Sequence, residues 1–216
     1  MAVGESTVRR RALGDPDVRL MLEVGEGNAA AFEELMLRYQ VRLLNVITHI
    51  VGSRDQAEDL VQEVFLRVFR ARKTYKPGAK FSTWLFTIAN NVCANAIRTL
   101  ARRHEVKLDA RASGPMGANP LEAIVMVSSG QIPARQIDKL ETREVVRLAV
   151  ESLGHRQRVA VLLSKFEGMG YDEIAEVMEM SPQAVKSLLF RARANLRDVL
   201  TPYLNHGTRP ISQQAK

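Results

Sequence analysis

The chain has 216 residues, 24.2 kDa in mass and 46% hydrophobic, enough for one fair-sized core or two small ones. Lysine and arginine number 31 against 24 acids, a net charge of +7 with a pI near 9.8, which favours a polyanionic partner. A single cysteine, Cys93, excludes a disulfide framework, no stretch is long enough to span a bilayer, and no apolar run follows Arg9, Arg10 and Arg11 to make a signal peptide, so a cytoplasmic protein is expected.

Residues 1–16 show no periodic pattern and are expected to be loose. From Asp17 to about residue 104 apolar positions recur at helical spacing with no strand-like alternation, so a first all-helical domain is expected over 17–104. Residues 105–136 turn rich in Gly, Pro, Ala and Ser and read as a flexible linker, with a short helical patch at Leu121 to Val127. Helical spacing resumes over 137–200, the second domain, and residues 201–216 break with Pro202, Gly207 and Pro210 into a loose tail. The fold class is therefore all-α, as two small helical domains.

In the first domain "SRDQAEDLVQEVFLRVFRAR" opens on a capping box, Ser53 with Gln56, and continues with a core stripe of Ala57, Leu60, Val61, Val64, Phe65 and Val68. Its outer face runs from Glu58, Asp59 and Glu63 to Arg67, Arg70 and Arg72. That order matches the helix dipole and, from charge alone, needs no partner to account for it. "KPGAKFSTWLFTIANNVCANAIRTLARR" has a core stripe of Leu85, Ile88, Ala89, Val92 and Ala96. A neighbouring strip carries Trp84, Thr87, Asn91, Asn95 and Arg98. A ring, a hydroxyl, two amides and a guanidinium in a row suit stacking and edge hydrogen bonds to unpaired bases; the plainer alternative is a half-buried core ring beside chance asparagines. From Arg67 to Lys107 there are ten basic residues, Lys76 and Lys80 among them, against one acid, Glu105.

In the second domain "YDEIAEVMEMSPQAVKSLLFRARANLR" divides into a short helix, Tyr171 to Met178, a tight turn through Glu179 and Met180, and a longer helix. Ser181 caps that helix and Pro182 suits its first position. Val185, Leu188, Leu189, Ala192, Leu196 and Val199 make its apolar stripe, leaving Gln183, Lys186, Ser187, Phe190, Arg193 and Arg197 outside it and Arg191 on the far flank. A solvated basic face is one reading. The capped helix–turn–helix arrangement and the unneeded apolar ring of Phe190 favour a helix lying in a DNA major groove.

Enzyme signatures are missing from the text. "GEGNAA", Gly25 to Ala30, has no strand before it and reads as an interhelix turn. His49, His104, His155 and His206 are scattered, and there is no phosphate-binding loop, so neither catalysis, cofactor, metal nor small-molecule substrate is expected.

The strings "AAFEELMLRYQ", "AEDLVQEVFLRVFRA", "FSTWLFTIANN" and "EGMGYDEIAEVMEMSPQAVKSLLFRAR", in this order, resemble the sigma-70 family of bacterial RNA polymerase initiation factors in its two-domain, extracytoplasmic-function form. The resemblance implies that Asp59, Gln62 and Glu63 dock on the clamp coiled coil of the polymerase β′ subunit. It implies that Lys76, Lys80, Phe81, Trp84, Thr87, Asn91, Asn95 and Arg98 bind the melted −10 strand. Gln183, Lys186, Ser187, Phe190, Arg191 and Arg193 would bind duplex −35 DNA, with the second domain also on the β flap and an anti-sigma factor as a further partner. An ordinary helix–turn–helix regulator is the alternative, and it would leave the Trp84 strip and the acidic face without a role. Leu188 stands where the family commonly has an arginine.

Overall fold

The computed structural model describes residues 14–111 and 134–206, which include eight α-helices and no strand. Expectations for residues 1–13, for the patch Leu121 to Val127 and for residues 207–216 lie outside the described residues.

Helix α1 (Pro16–Gly25) starts on the Asp15 cap with Pro16 in its first turn, and buries Val18, Met21 and Val24. "GEGNAA" is an interhelix turn: Gly27 takes φ +100°, and the Asn28 side chain accepts the Ala30 and Ala31 amides to start α2 (Ala29–Val51). Gly52, at φ +79°, ends α2 by donating to the Thr48 carbonyl at 2.8 Å. Ser53 then caps α3 (Arg54–Ala71) through the Gln56 amide. Of its expected stripe Ala57, Val61, Val64, Phe65 and Val68 are buried and Leu60 is half-buried.

Helix α4 (Phe81–Arg111) runs seven residues past the point where a linker was expected to begin. It buries Leu85, Ala89 and Val92 as read from periodicity, and also Phe86 and Cys93 on a second side. This helix is covered on two sides because it packs against both α3 and a helix of the second domain. Burial pushes the Cys93 thiol up to about 12, far from a reactive thiolate.

The second domain comprises α5 (Ala134–Glu151), α6 (His155–Lys165), α7 (Tyr171–Val177) and α8 (Pro182–His206). The turn between α7 and α8 bends through Glu179 at φ +52°, with the Met180 amide on the Ala175 carbonyl at 3.0 Å. Ser181 Oγ accepts the Ala184 amide at 3.2 Å and starts α8. Val185, Leu188, Leu189 and Ala192 are buried, with Leu196 half-buried. Pro202 does not stop α8, which continues to His206 although the ring forgoes one ladder hydrogen bond and crowds the carbonyl four residues back. The domains share one continuous core, in which α4 meets α7 and α2 meets α6.

Candidate nucleic-acid and polymerase interfaces

The inward stripe of α8 fixes which side chains face out. Gln183, Lys186, Ser187, Phe190, Arg191 and Arg193 are all exposed and line a single concavity, closed at one end by Tyr171 from the start of α7. Phe190 is 71% exposed, a ring left in water that core packing does not require. Ser187 Oγ donates to the Gln183 carbonyl at 3.1 Å, which leaves its lone pairs free to accept. Tyr171, 42% exposed, was missed from sequence, although its position heading the first helix of the motif was a usable signal. Leu188, 7% exposed, is a core residue, so the position where the resemblance predicts an arginine serves packing in this chain.

On α4 the strip divides into two kinds of site. Asn91, Asn95 and Arg98 are exposed, and Arg98 Nη2 donates to Asn95 Oδ1 at 2.7 Å, so the amide and the guanidinium orient each other. Trp84 and Thr87 are half-buried: the Thr87 hydroxyl donates to the Thr83 carbonyl at 2.9 Å, and the indole lies 4.7 Å from the Tyr75 ring and 5.8 Å from that of Phe81. Trp84 is thus held in an aromatic cluster and packed against the core while part of its surface stays exposed. Phe81, expected among the strand-binding residues, is only 1% exposed. Its ring packs between Tyr39 and Tyr75 and its amide is capped by Asp15, so it supports Trp84 from beneath and has no surface for DNA. Lys76 and Lys80 are exposed at the mouth of the preceding loop, with Lys80 Nζ paired to Glu173 Oε1 at 2.9 Å. Burial pushes the Glu173 carboxyl up, but the Lys80 ammonium and the Gly170 amide outweigh it and leave its pKa lowered.

On α3 Asp59 and Gln62 are exposed, and the half-exposed Glu63 is paired with Arg67 at 2.7 Å. Beside them lies a groove between α2 and α3 with a floor of Phe32, Met36, Val61 and Phe65 and a rim that includes Leu66 and Phe69. Leu66 is 50% and Phe69 41% exposed, so the polar edge borders an apolar surface. Sequence reasoning saw the charges and missed this groove, although Leu66 and Phe69 fall off the core stripe and could have been noticed.

Two family models match, Sigma-70 region 2 over residues 35–103 and Sigma-70, region 4 over residues 143–196. The RNA polymerase sigma-H factor of Pseudomonas aeruginosa is 31% identical over 190 residues, covering 88% of this chain and 96% of its own. This chain belongs to the sigma-70 family. The ECF RNA polymerase sigma-E factor of Escherichia coli is 30% identical over 193 residues, 87% of this chain and 96% of its own, which places the chain among the extracytoplasmic-function sigma factors. The solved structure of CnrH in complex with the cytosolic domain of CnrY matches 87% of this chain and 98% of that one, with a TM-score of 0.62 at 24% identity, a likeness of fold. As a sigma factor the protein acts in transcription initiation with RNA polymerase, and a stand-alone regulator would account for region 4 only. Among the described residues no helix is long and apolar enough to cross a membrane.

Proposed function

We propose that this sigma factor reads a promoter with two separate surfaces and attaches to core polymerase with a third. The observation that supports it most is the concavity of α8, where three basic side chains, an amide, a hydroxyl and an exposed ring project from one capped helix. Lys186 and Arg191 reach guanine edges or phosphates of the −35 duplex, Gln183 and Ser187 hydrogen-bond bases, Phe190 meets a thymine methyl, and Arg193 takes a phosphate.

Trp84, Thr87, Asn91, Asn95 and Arg98, with Lys76 and Lys80 at the loop, take the melted −10 strand. Base stacking on an aromatic platform is worth about 1–3 kcal/mol per base, which offsets unpairing without any nucleotide hydrolysis. The protein on this reading has no catalysis of its own and works in the cytoplasm. Asp59, Gln62 and Glu63, with the adjoining groove, meet the β′ clamp coiled coil, the second domain also contacts the β flap, and an anti-sigma factor holds the protein in check.

In vitro transcription with core polymerase and fragmented DNA from the source genome tests this. New transcripts with defined starts should require the protein and fade with Trp84→Ala; transcripts indifferent to Trp84→Ala would overturn the strand-binding assignment.

A further inference from the structure

Three arginines in a row, Arg9 to Arg11, are given no role by the surfaces above, and they lie just before the described residues. Their point of attachment is fixed. The described chain begins at Gly14, and the next residue, Asp15, accepts the Phe81 amide at the head of α4 at 3.0 Å. Gly14 and Asp15 line one cleft together with Gly78, Ala79 and Lys80 of the loop before that helix. Each residue adds at most about 3.6 Å to the reach of a chain, so Arg11 is within about 11 Å of Gly14 and Arg9 within about 18 Å. The covalent tether thus keeps all three near the end of α4 that carries Trp84.

That end of α4 lacks cations. From Phe81 to Ile97 the helix has no charged residue, a run about 24 Å long at 1.5 Å per residue. Trp84, Thr87, Asn91 and Asn95 offer stacking and hydrogen bonds to bases, but a strand also carries a phosphate charge at every nucleotide, and neutralising phosphates supplies much of the affinity of nucleic-acid binding. Of the cations around the loop, Lys76 is exposed, while Lys80 Nζ is paired with Glu173 Oε1 at 2.9 Å. Arg42, in the wall of the same cleft, donates through Nε to Glu167 Oε2 at 3.0 Å. The acids next to the attachment point are taken as well: both Asp15 oxygens accept backbone amides, and Asp17 accepts the Tyr39 hydroxyl and pairs with Arg38. Neither is left to hold the arginines.

We infer that Arg9, Arg10 and Arg11 form an arm that grips phosphates of the −10 strand beside Trp84, supplying the charge that α4 lacks. The inference rests on the strand-binding assignment above and adds a contact outside both family-model matches, the first of which begins at residue 35. Phosphate is the ligand and no base is read, so the contact is independent of sequence. Basic N-terminal arms joined to a folded reader are a recurrent way of adding such contacts. Asp172 and Glu176, which also line the cleft and pair with no cation among the described residues, are the rival ligand. They offer two charges where a strand offers a continuous line of them.

Binding of the holoenzyme to a forked promoter fragment tests the inference, with the −10 element single-stranded and the sequence taken from a start site mapped by in vitro transcription. Arg9→Ala, Arg10→Ala and Arg11→Ala together remove three phosphate contacts and should lower the slope of log affinity against log salt by about two, at about 0.7 per contact on a single strand. The advantage of wild type over this variant should shrink about twenty-fold between about 50 and 200 mM salt. The matching triple change to lysine keeps the point charges and should keep the slope. An unchanged slope in the alanine variant, or a lost slope in the lysine variant, would overturn phosphate binding. Affinity for a −35 duplex alone should not change; an equal loss there would make the arm a general polyanion contact and overturn its place at α4. An iron chelate on Arg10→Cys, with Cys93 buried, locates the arm by radical cleavage. Cuts in the −10 strand support the inference; cuts confined to α7 would seat the arm on Asp172 and Glu176 and refute it. Trp84→Ala on the same fragment separates the two readings. Intact binding in that variant strikes the strand-binding assignment, whereas weakened binding there beside an unchanged slope in the alanine variant strikes the arm alone.

Discussion

Asp15 caps two helices at once: its Oδ2 accepts the Phe81 amide, 66 positions away, at 3.0 Å, and its Oδ1 accepts the Asp17 amide at 3.0 Å. The start of α1 and the start of α4 are tied to one carboxylate. Asp15→Ala leaves two amide donors without it, and a lost cap costs about 1 kcal/mol, up to about 2 in the stronger cases. We expect a loss near the upper figure in urea denaturation, with Asp15→Asn recovering part of it because an amide oxygen still serves one donor.

Glu179 sits at φ +52° in the turn of the helix–turn–helix, where a side chain with a Cβ is strained and glycine is not. The left-handed region costs a non-glycine residue about 1–2 kcal/mol, partly offset by glycine's greater unfolded-state freedom. Glu179→Gly is therefore expected to stabilise the protein by about 0.5–1 kcal/mol in the same denaturation assay. A loss of stability would show that Glu179 makes a compensating contact.

These two examples show what the text of the chain can and cannot disclose. Cap residues beside a helical period are local, so Ser53 and Ser181 were readable from spacing, as was the α8 stripe from Val185 to Ala192. Asp15 was not, because its second partner is Phe81, remote in sequence. For the same reason the resemblance groups Phe81 with Trp84 as strand-binding, and only the packing of Tyr39 and Tyr75 around it shows that its ring is buried. Phe86 and Cys93 fell outside the α4 core stripe because periodicity within one helix cannot say that a second domain covers another side. The ion pairs of Lys80 and Arg42 were invisible for that reason too.

Burial lowers the pKa of both His49 and His155; the nearby guanidinium groups of Arg147 and Arg158 add to it for His49 and are opposed by Glu151, while Arg158 and Arg156 add to it for His155. The unfolded chain binds a proton at each near the usual value of about 6.5, and the folded chain does so only at lower pH. Stability conferred by the neutral rings is therefore full above about pH 6.5 and declines as pH falls from there towards the folded values, by at most about 1.4 kcal/mol per pH unit for each ring. Melting temperature should drop between pH 7.5 and 5.5, and His49→Gln should flatten part of that slope. An unchanged slope in the variant would assign the titration elsewhere.

The apolar groove beside Asp59 makes a prediction that the charges alone do not. Leu66 is 50% exposed on α3, so Leu66→Glu loses little packing and should shift stability by less than about 0.5–1 kcal/mol. If core polymerase covers the groove, the same change sets a carboxylate against an apolar partner and should weaken co-purification with core more than Asp59→Ala does. Glu63→Ala also frees Arg67 from its ion pair and should be intermediate. Binding of Leu66→Glu equal to wild type would confine the polymerase surface to the polar edge.

Arg191 lies exposed at the concavity of α8 without packing duty, so Arg191→Ala should leave the melting temperature within about 1–2 °C of wild type. A bidentate contact to guanine is worth about 1–3 kcal/mol, so −35 duplex binding should weaken about 5- to 150-fold and discriminate less at one base pair. Lys186→Ala, if its contact is to phosphate, should instead weaken binding evenly across sequences and reduce the slope of log affinity against log salt by about one. Neither change touches α3, so co-purification with core should persist in both, and the double variant should lose the −35 element while keeping polymerase. Equal loss of DNA and polymerase binding in these variants would mean that the two surfaces are not separate and would withdraw the assignment of α8.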